Sequence, residues 1–442
     1  MKAVIMAGGK GTRISSVASD IPKPMIRIEG KPVLEHEIEC LRKQGFTDLI
    51  ITVSHLGNII MDYFGDGSGI SQVTGKPFGV KIEYYMEKEP LGNAGALFKI
   101  KDRLTEDFLL LNADAVFDVN FNRMVAWHRE KNALVTLFTH PNSHPYDSGL
   151  LIAEKKKAVL KWLAKEDERP QWYRNRVNAG LHVISPKIFD AVDIDAEKIG
   201  TVGENGKTVK VDLDRQLLKP LAGTGKMFCY DSPEYVKDMG TPERYESVCR
   251  DFRDGKVQAK NLCNRQKAVF LDRDGTLNKY VGFLRNIDEF ELLDGVADAV
   301  KAINDSGYLA IVVTNQPVIA RGEVTFAQLE EIHNKMETLL GLEGAYVDAI
   351  YYCPHHPHKG YEGEIPELKF DCGCRKPKAG MLIQAADDFN IDLSRSWMIG
   401  DSENDILCGI NAGCRTALIG SGDFGQNVTA DNLKQFAEKY LK

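Results

Sequence analysis

The sequence predicts an α/β protein built as two Rossmann-like domains, each a mainly parallel sheet with helices on both faces. Three observations predict it. The chain has 442 residues, two to three times the roughly 150 of a typical domain. Short apolar runs alternate with helical patterns, the signature of α/β layers. And an apolar strand leading into a polar, carboxylate- or glycine-rich turn occurs twice, near residue 3 and again near residue 268.

Composition narrows the function classes. Lys and Arg number 56 against 63 Asp and Glu, a formal charge of −7, which argues against nucleic acid or an anionic membrane as a partner. The chain is 43% hydrophobic and 27% charged, ordinary for a folded domain with a sizeable core. No run reaches the roughly 18 apolar residues needed to cross a bilayer. Met1–Ala7 is too short for a signal sequence and the nine cysteines are an odd number, so reduced thiols and a cytoplasmic location are expected.

In chain order, strands are expected at Ala3–Met6, Asp48–Val53, Val80–Tyr85, Phe108–Leu111, Ala133–Phe138 and Gly180–Ile184. Between the first two, Pro32–Gln44 places Val33, Leu34, Ile38 and Leu41 near one helical face, with proline in the first turn and Gly45 as the stop, a crossover helix. A helix over Glu243–Phe252 closes a first domain of residues 1–252. A polar stretch, 253–266, reads as a linker. The second domain, 267–442, opens with the strand Ala268–Leu271 and continues with a helix from about Gly295 and a strand at Leu309–Val313.

The first strand runs into Ala7-Gly8-Gly9-Lys10-Gly11-Thr12-Arg13. Glycines let backbone amides approach phosphate oxygens, and Lys and Arg supply countercharge. Downstream come Pro22-Lys23-Pro24-Met25, Glu89-Pro90-Leu91-Gly92-Asn93-Ala94-Gly95, Leu111-Asn112-Ala113-Asp114, Val177-Asn178-Ala179-Gly180 and Asp238-Met239-Gly240-Thr241-Pro242. This ordered set resembles the sugar-1-phosphate nucleotidyltransferases, in particular the mannose-1-phosphate guanylyltransferase-like branch, over about residues 1–250. The resemblance implies that Gly8, Gly9, Gly11, Thr12, Gly92 and Asp114 bind the nucleotide, and that Arg13 and Lys23 neutralise charge as a sugar phosphate attacks the α-phosphorus and pyrophosphate leaves. It further implies Asp114 and Asp238 as ligands of Mg²⁺, a hard cation that takes oxygen donors and bridges phosphates, and Asn178 and Lys165 as contacts to the sugar phosphate. The chain departs from the family at Ala113 and at Ala164-Lys165-Glu166, where Gly-Asp and Glu-Lys-Pro are usual.

The strand Ala268–Leu271 ends in Asp272-Arg273-Asp274-Gly275-Thr276. An ionised carboxylate can attack phosphorus to form an aspartyl phosphate, and a second carboxyl two residues on can serve as acid and then base. Thr314-Asn315-Gln316, Arg375-Lys376-Pro377 and Ile399-Gly400-Asp401 follow in order. The set resembles the haloacid dehalogenase-type phosphatases over about residues 267–420. That implies Asp272 as nucleophile, Asp274 as acid and base, Thr314 and Lys376 as phosphoryl holders, and Asp272, Asp274 and Asp401 as the Mg²⁺ site.

Between these motifs, Cys353, His355, His356, His358, Cys372 and Cys374 account for six of the nine cysteines and ten histidines of the chain. Alternate residues of an extended segment face the same way, so Cys353 with His355 and Cys372 with Cys374 predict a structural Cys₃His zinc site, with His356 facing away unless a turn at Pro354 exchanges the two histidines. With Thr314 through Gly322 and Cys374 through Pro377, the loop resembles the heptose 1,7-bisphosphate 7-phosphatases, with histidinol phosphatases as cousins; Asn315, Arg321 and Arg375 would then contact substrate. Pro317-Val318 stands where Ser-Gly is usual.

The fusion is informative. Removing a 7-phosphate leaves a sugar 1-phosphate, the substrate class of the first domain. The two resemblances together imply synthesis of GDP-D-glycero-D-manno-heptose from GTP and heptose phosphates, with the α anomer implied by the guanylyl branch. A homo-oligomer is compatible with the sequence. A second reading keeps only the phosphatase active beside a nucleotide-sugar-sensing domain; the presence of Arg13, Lys23, Asp114 and Asp238 argues against it.

Overall fold

The computed structural model describes residues 1–8, 20–203 and 206–441. The chain divides into two compact units. The first comprises Met1–Thr139, Leu151–Trp162 and Asn178–Asn261; the second comprises His140–Leu150, Leu163–Val177 and Leu262–Lys442.

In the first unit the strand Ala3–Met6 lies between Asp48–Val53 and Phe108–Asn112, parallel to both. Lys81–Met86 continues the parallel order beyond Asp48–Val53, and Val177–Ile184 joins antiparallel beside Phe108–Asn112. Strand residues alternate between faces: Ala3 and Ile5 enter one apolar cluster with Leu34, Ile38 and Leu41, whereas Val4 enters another with Leu97 and Leu217. The helix Val33–Lys43 is one residue shorter at each end than its periodicity predicts. Its apolar stripe faces the first cluster, as expected of an amphipathic crossover helix.

The second sheet is wholly parallel, in the order Ala349–Cys353, Leu309–Asn315, Ala268–Leu271, Trp397–Gly400, Arg415–Ile419, Val428–Ala430. Its first strand in sequence is central. The chain builds outward on one side, then returns to the other, which leaves a crevice at the carboxyl ends of Ala268–Leu271 and Trp397–Gly400. Val269 and Leu271 pack into one cluster with Val312 and Ile399, Ala268 and Phe270 into the other with Ile311 and Met398.

The polar stretch expected to be an irregular linker contains a helical turn, Lys256–Ala259. Its single core residue explains it: Val257 is buried with Met239 and Val248. Two excursions from the first half of the sequence belong to the second unit, which composition does not anticipate. There the Tyr173 N–H donates to Thr338 Oγ1 at 2.9 Å, and that hydroxyl donates to the Tyr173 carbonyl at 3.0 Å, seating the segment on the helix Phe326–Leu342.

Candidate active sites

In the first unit, Pro22, Lys23 and Pro24 form a tight turn that aims the largely buried Lys23 at Asp114, with Nζ 2.8 Å from Oδ2. Asp238 ends a strand, Tyr235–Asp238, paired antiparallel with Ala115–Asp118, and lies opposite Ala115; the next amide, Met239 N–H, donates to the Asp114 carbonyl at 3.3 Å. The two carboxylates expected to share a cation are therefore neighbours across one ladder. Burial pushes the Asp238 carboxyl up, but Arg244, whose Nη1 donates at 2.9 and 2.6 Å, and the Gly240 N–H at 2.8 Å outweigh it and hold Asp238 below its ordinary value.

Glu37 stands near this pair. It is 1% exposed, neither carboxylate oxygen has a hydrogen-bond partner, and burial, then the charge of Asp114, push it well above its usual range. Two carboxylates with an orphaned third carboxyl beside them, countered by Lys23 on Asp114 and Arg244 on Asp238, offer the oxygen donors that suit a hard divalent cation. Asp114 and Asp238 would hold it. Neither Arg244 nor Glu37 stood out in the sequence, although Arg244 in the first turn after Thr241-Pro242 was a visible signal.

Gly92 has φ +83°, and a Cβ there would come within 2.3 Å of the Val211 carbonyl oxygen. The loop is stapled to that segment: Val211 N–H donates to the Leu91 carbonyl at 2.9 Å, and Leu213 N–H to Asn93 Oδ1 at 2.7 Å. Gly8 follows the first strand, its carbonyl accepting from Ser54 Oγ at 2.7 Å. Gly9, Gly11, Thr12 and Arg13 lie outside the described residues. Asn178 lies in the strand beside Phe108–Asn112. Lys165, expected at the sugar phosphate, belongs to the second unit and is ion-paired with Asp147.

In the second unit, Asp272, Thr314 and Asp401 all sit at carboxyl ends of adjacent parallel strands. Lys376 brings its ammonium 2.7 Å from Asp272 Oδ1 and 2.6 Å from Asp405 Oδ1, and donates to the Val313 carbonyl at 3.0 Å. Asp272, Asp401 and Asp405 present carboxylate oxygens all within 4.8 Å of one another. Burial, then repulsion by Asp405, raises Asp272 to about 7 and Asp401 to about 6. Lys376 is itself raised: burial disfavours its charge, but Asp272 and Asp405 overcome that. Three carboxylates against one ammonium leave room for the charge of a divalent cation, and Asp272 and Asp401 offer its oxygens.

Asp405 was missed in the sequence. It lies in the first turn of the helix Glu403–Ala412, where its Oδ2 accepts from Ser402 N–H and Oγ at 3.1 and 2.6 Å; its spacing of four from Asp401 was the available signal. Gly275 has φ +88°, and a Cβ there would stand 2.0 Å from Asp401 Oδ2, so only glycine lets this turn approach the carboxylate.

Asp274 does not join that carboxylate cluster. It accepts from Arg273 Nε and Nη2 at 2.8 to 3.1 Å, Asn278 Nδ2 at 3.0 Å and Gln316 Nε2 at 2.8 Å. Gln316 also donates to the buried Thr314 hydroxyl at 2.9 Å. Asn315, expected at the substrate, spends its amide on Lys376 instead: Oδ1 accepts from Lys376 N–H at 3.0 Å and Nδ2 donates to its carbonyl at 3.1 Å. It orients the lysine.

The cysteine-rich loop converges. Sulfurs of Cys353, Cys372 and Cys374 lie 3.3 to 3.5 Å apart, with His355 Nδ1 3.6 Å from Cys353 and 3.4 Å from Cys374. These are too long for disulfides and near the edge lengths of a tetrahedron around one metal ion. His356 turns away, its Nδ1 accepting from His358 N–H at 3.2 Å. Beside it lie Arg321, Lys369 and Arg375, whose charges lower His356 further after burial does. The Arg321 guanidinium lies between Phe283 and Tyr361, at 4.0 and 4.4 Å, and its buried Nε has no acceptor.

Comparison with known proteins agrees with both halves. A nucleotidyl transferase family model matches residues 2–253, and a HAD-hydrolase-like model matches residues 373–440. The D-glycero-beta-D-manno-heptose-1,7-bisphosphate 7-phosphatase of Haemophilus ducreyi is 44% identical over 171 residues, 38% of this chain and 90% of that protein. Its counterpart in Escherichia coli K12 is 43% identical over 152 residues, 34% of this chain and 78% of that protein. Among solved structures, HddC from Yersinia pseudotuberculosis is 25% identical, covering 57% of this chain and 99% of its own, with a TM-score of 0.46. The D,D-heptose 1.7-bisphosphate phosphatase from B. bronchiseptica, crystallised with magnesium and phosphate, is 32% identical, covering 40% and 98%, with a TM-score of 0.36.

Proposed function

The chain belongs to the nucleotidyl transferase family over residues 2–253 and shares a second family with the heptose bisphosphate 7-phosphatases, and from that premise we propose that it carries out two consecutive steps of GDP-D-glycero-D-manno-heptose synthesis. Residues 267–442 remove the 7-phosphate of heptose 1,7-bisphosphate. Residues 1–252, joined through 253–266, transfer a guanylyl group from GTP to the resulting heptose 1-phosphate and release pyrophosphate. One observation carries the reading. A phosphatase centre, with Asp272 2.7 Å from Lys376, and a transferase centre, with Lys23 2.8 Å from Asp114, occupy one chain, and the product class of the first is the substrate class of the second.

In the phosphatase step, an Asp272 oxygen attacks the 7-phosphate phosphorus while Asp274 gives a proton to the departing sugar oxygen. Asp274 then takes a proton from the water that attacks the aspartyl phosphate, and inorganic phosphate leaves. Thr314 and Lys376 hold the phosphoryl oxygens. Arg321, Arg375 and Lys369 supply positive charge for the phosphate at the other end of the sugar, with Arg321 pre-oriented by its two aromatic neighbours. Asp272 and Asp401 would hold Mg²⁺, which would neutralise charge on the phosphoryl group. The Cys353, His355, Cys372 and Cys374 cluster would hold zinc, to judge by its thiolate and imidazole donors, and four protein ligands would make that ion structural.

In the transferase step, Gly8, Gly9, Gly11 and Thr12, with Gly92, hold the nucleotide, while Arg13 and Lys23 draw charge from the α-phosphate as the sugar phosphate oxygen attacks it. Asp114 and Asp238 would hold Mg²⁺, which would supply further neutralisation. Asn178 contacts the sugar phosphate. A cytoplasmic location suits reduced thiols at a metal site; among the described residues no helix is long and apolar enough to cross a membrane.

The test is one assay of the full chain with Mg²⁺, either anomer of heptose 1,7-bisphosphate, and each nucleoside triphosphate in turn, following phosphate, pyrophosphate and nucleotide sugar separately. Phosphate release followed by GDP-heptose formation is expected, with the α anomer consumed through both steps. Phosphate without pyrophosphate for every nucleotide would overturn the transferase half in favour of a nucleotide-sugar-sensing domain.

A further inference from the structure

We propose that His182 is a positioning residue of the nucleotidyl-transfer site: a buried, neutral imidazole that holds the Asn178 amide with its oxygen turned inward and its Nδ2 hydrogens presented to the sugar 1-phosphate. The inference rests on the transferase reading above and adds to it a residue that neither the motifs nor the comparisons single out.

Asn178, Gly180 and His182 occupy alternate positions of one strand and so share a face. Asn178 is partly exposed, and His182 is 0% exposed. The ladder sets His182 opposite Leu110 and Leu181 opposite Leu111 in Phe108–Asn112, the strand that leads to Asp114. A Cβ on Gly180 would meet Asn112 Nδ2 at 2.5 Å, which places Asn178 at the Asp114 end of the sheet.

The hydrogen bonds assign each atom. Gly180 N–H donates to Asn178 Oδ1 at 3.2 Å, and because a backbone amide only donates, that atom is the amide oxygen. His182 Nε2 is also 3.2 Å from Oδ1, so Nε2 carries the hydrogen. The other ring nitrogen, Nδ1, is buried with no hydrogen-bond partner, as suits a bare lone pair better than a second N–H. Burial alone lowers the imidazole to about 3, so the ring stays neutral. With both donors converging on Oδ1, the Nδ2 hydrogens have no acceptor among the described residues and point their dipole outward. A rotated amide would put Nδ2 against two N–H groups, which buried geometry does not tolerate. His182 therefore reinforces the Gly180 amide in holding the Asn178 amide so that the site offers a donor to the sugar phosphate.

The test uses the full chain carrying His182→Leu, His182→Gln or Asn178→Ala, and the double variant His182→Leu with Asn178→Ala. Loss of one orienting hydrogen bond should raise the KM for sugar 1-phosphate about ten-fold in His182→Leu, with the KM for nucleotide unchanged. His182→Gln, whose amide nitrogen donates from a similar reach, should recover most of it, and adding Asn178→Ala to His182→Leu should cost nothing further. An unchanged KM in His182→Leu, a glutamine variant as impaired as leucine, or additive effects in the double variant would each overturn the proposal. Phosphatase turnover serves as the control for folding. A wild-type chain that forms no nucleotide sugar would instead defeat the transferase reading, and the proposal is then decided by ¹⁵N NMR of the histidine ring. A neutral Nε2–H tautomer supports it; an Nδ1–H tautomer or a charged ring overturns it.

Discussion

Lys376 stands between two carboxylates, 2.7 Å from Asp272 and 2.6 Å from Asp405, and is itself buried with its main chain gripped by Asn315. The proposed nucleophile, Asp272, is thus paired with a lysine that a second acid also holds. Asp405 is 0% exposed, so its charge is felt in a medium that screens little.

Replacing Asp405 with Asn should therefore keep the shape and lose the anchor. Phosphatase kcat/KM should fall about a hundred-fold, or ~2.7 kcal/mol of transition-state stabilisation. Transferase turnover should stay within about two-fold, since its residues are separate. Steady-state kinetics of both activities on one preparation check this; a phosphatase loss below about three-fold would show that Asp272 alone places Lys376.

The two centres should be separable by single substitutions. Asp114→Asn or Asp238→Asn should abolish pyrophosphate release and spare phosphate release, and Asp272→Asn should do the reverse. Product analysis by chromatography distinguishes them. Loss of both activities from any one variant with its fold preserved would contradict two independent centres.

The cysteine cluster makes a prediction about stability. Cys374→Ser, or prolonged chelation, should release close to one equivalent of zinc and weaken the loop that carries Arg375 and Lys376. Phosphatase activity should drop with the metal, while the transferase persists. Metal analysis of carefully prepared wild-type protein containing less than half an equivalent of zinc would remove the site.

Acid should destabilise the first unit through His182. Its folded value, about 3, lies below the ordinary 6.5, so the unfolded chain binds the extra proton first. The stability is present above about pH 6.5 and is lost as pH falls towards 3, roughly 2 kcal/mol by pH 5. His182→Gln removes the titrating ring. Urea unfolding at about pH 7 and about pH 5 should show a smaller difference for the variant; equal differences would mean that other groups carry the acid sensitivity.

Much of this was legible because local rules and tertiary demands coincide. Ala3–Met6, Asp48–Val53 and Ala268–Leu271 occur where their apolar runs predicted, because strands buried on both faces read as unbroken hydrophobic segments. Asp272, Thr314 and Asp401 were legible for a related reason: each follows such a run, and a parallel sheet brings the carboxyl ends of its strands together. The choice of His355 over His356 followed from two-residue periodicity alone.

What the linear chain withheld is what depends on partners distant in sequence. Glu37 looks like any polar residue of an amphipathic helix until packing removes its water, and Arg244 acquires meaning only when Asp238 folds against it. Asn315 reads as a substrate contact until Lys376, 61 residues later, takes both ends of its amide. Lys165 and the segments around it read as part of the first domain, yet they belong to the second unit. The sequence by itself determined the two α/β layers, the place of Asp272 at a strand end and the spacing of the cysteine and histidine cluster, because these are set by short-range periodicity and side-chain chemistry. Tertiary structure alone decided which carboxylates are buried, which are paired, and which amide points where, because burial and hydrogen-bond partnership exist only once remote segments meet.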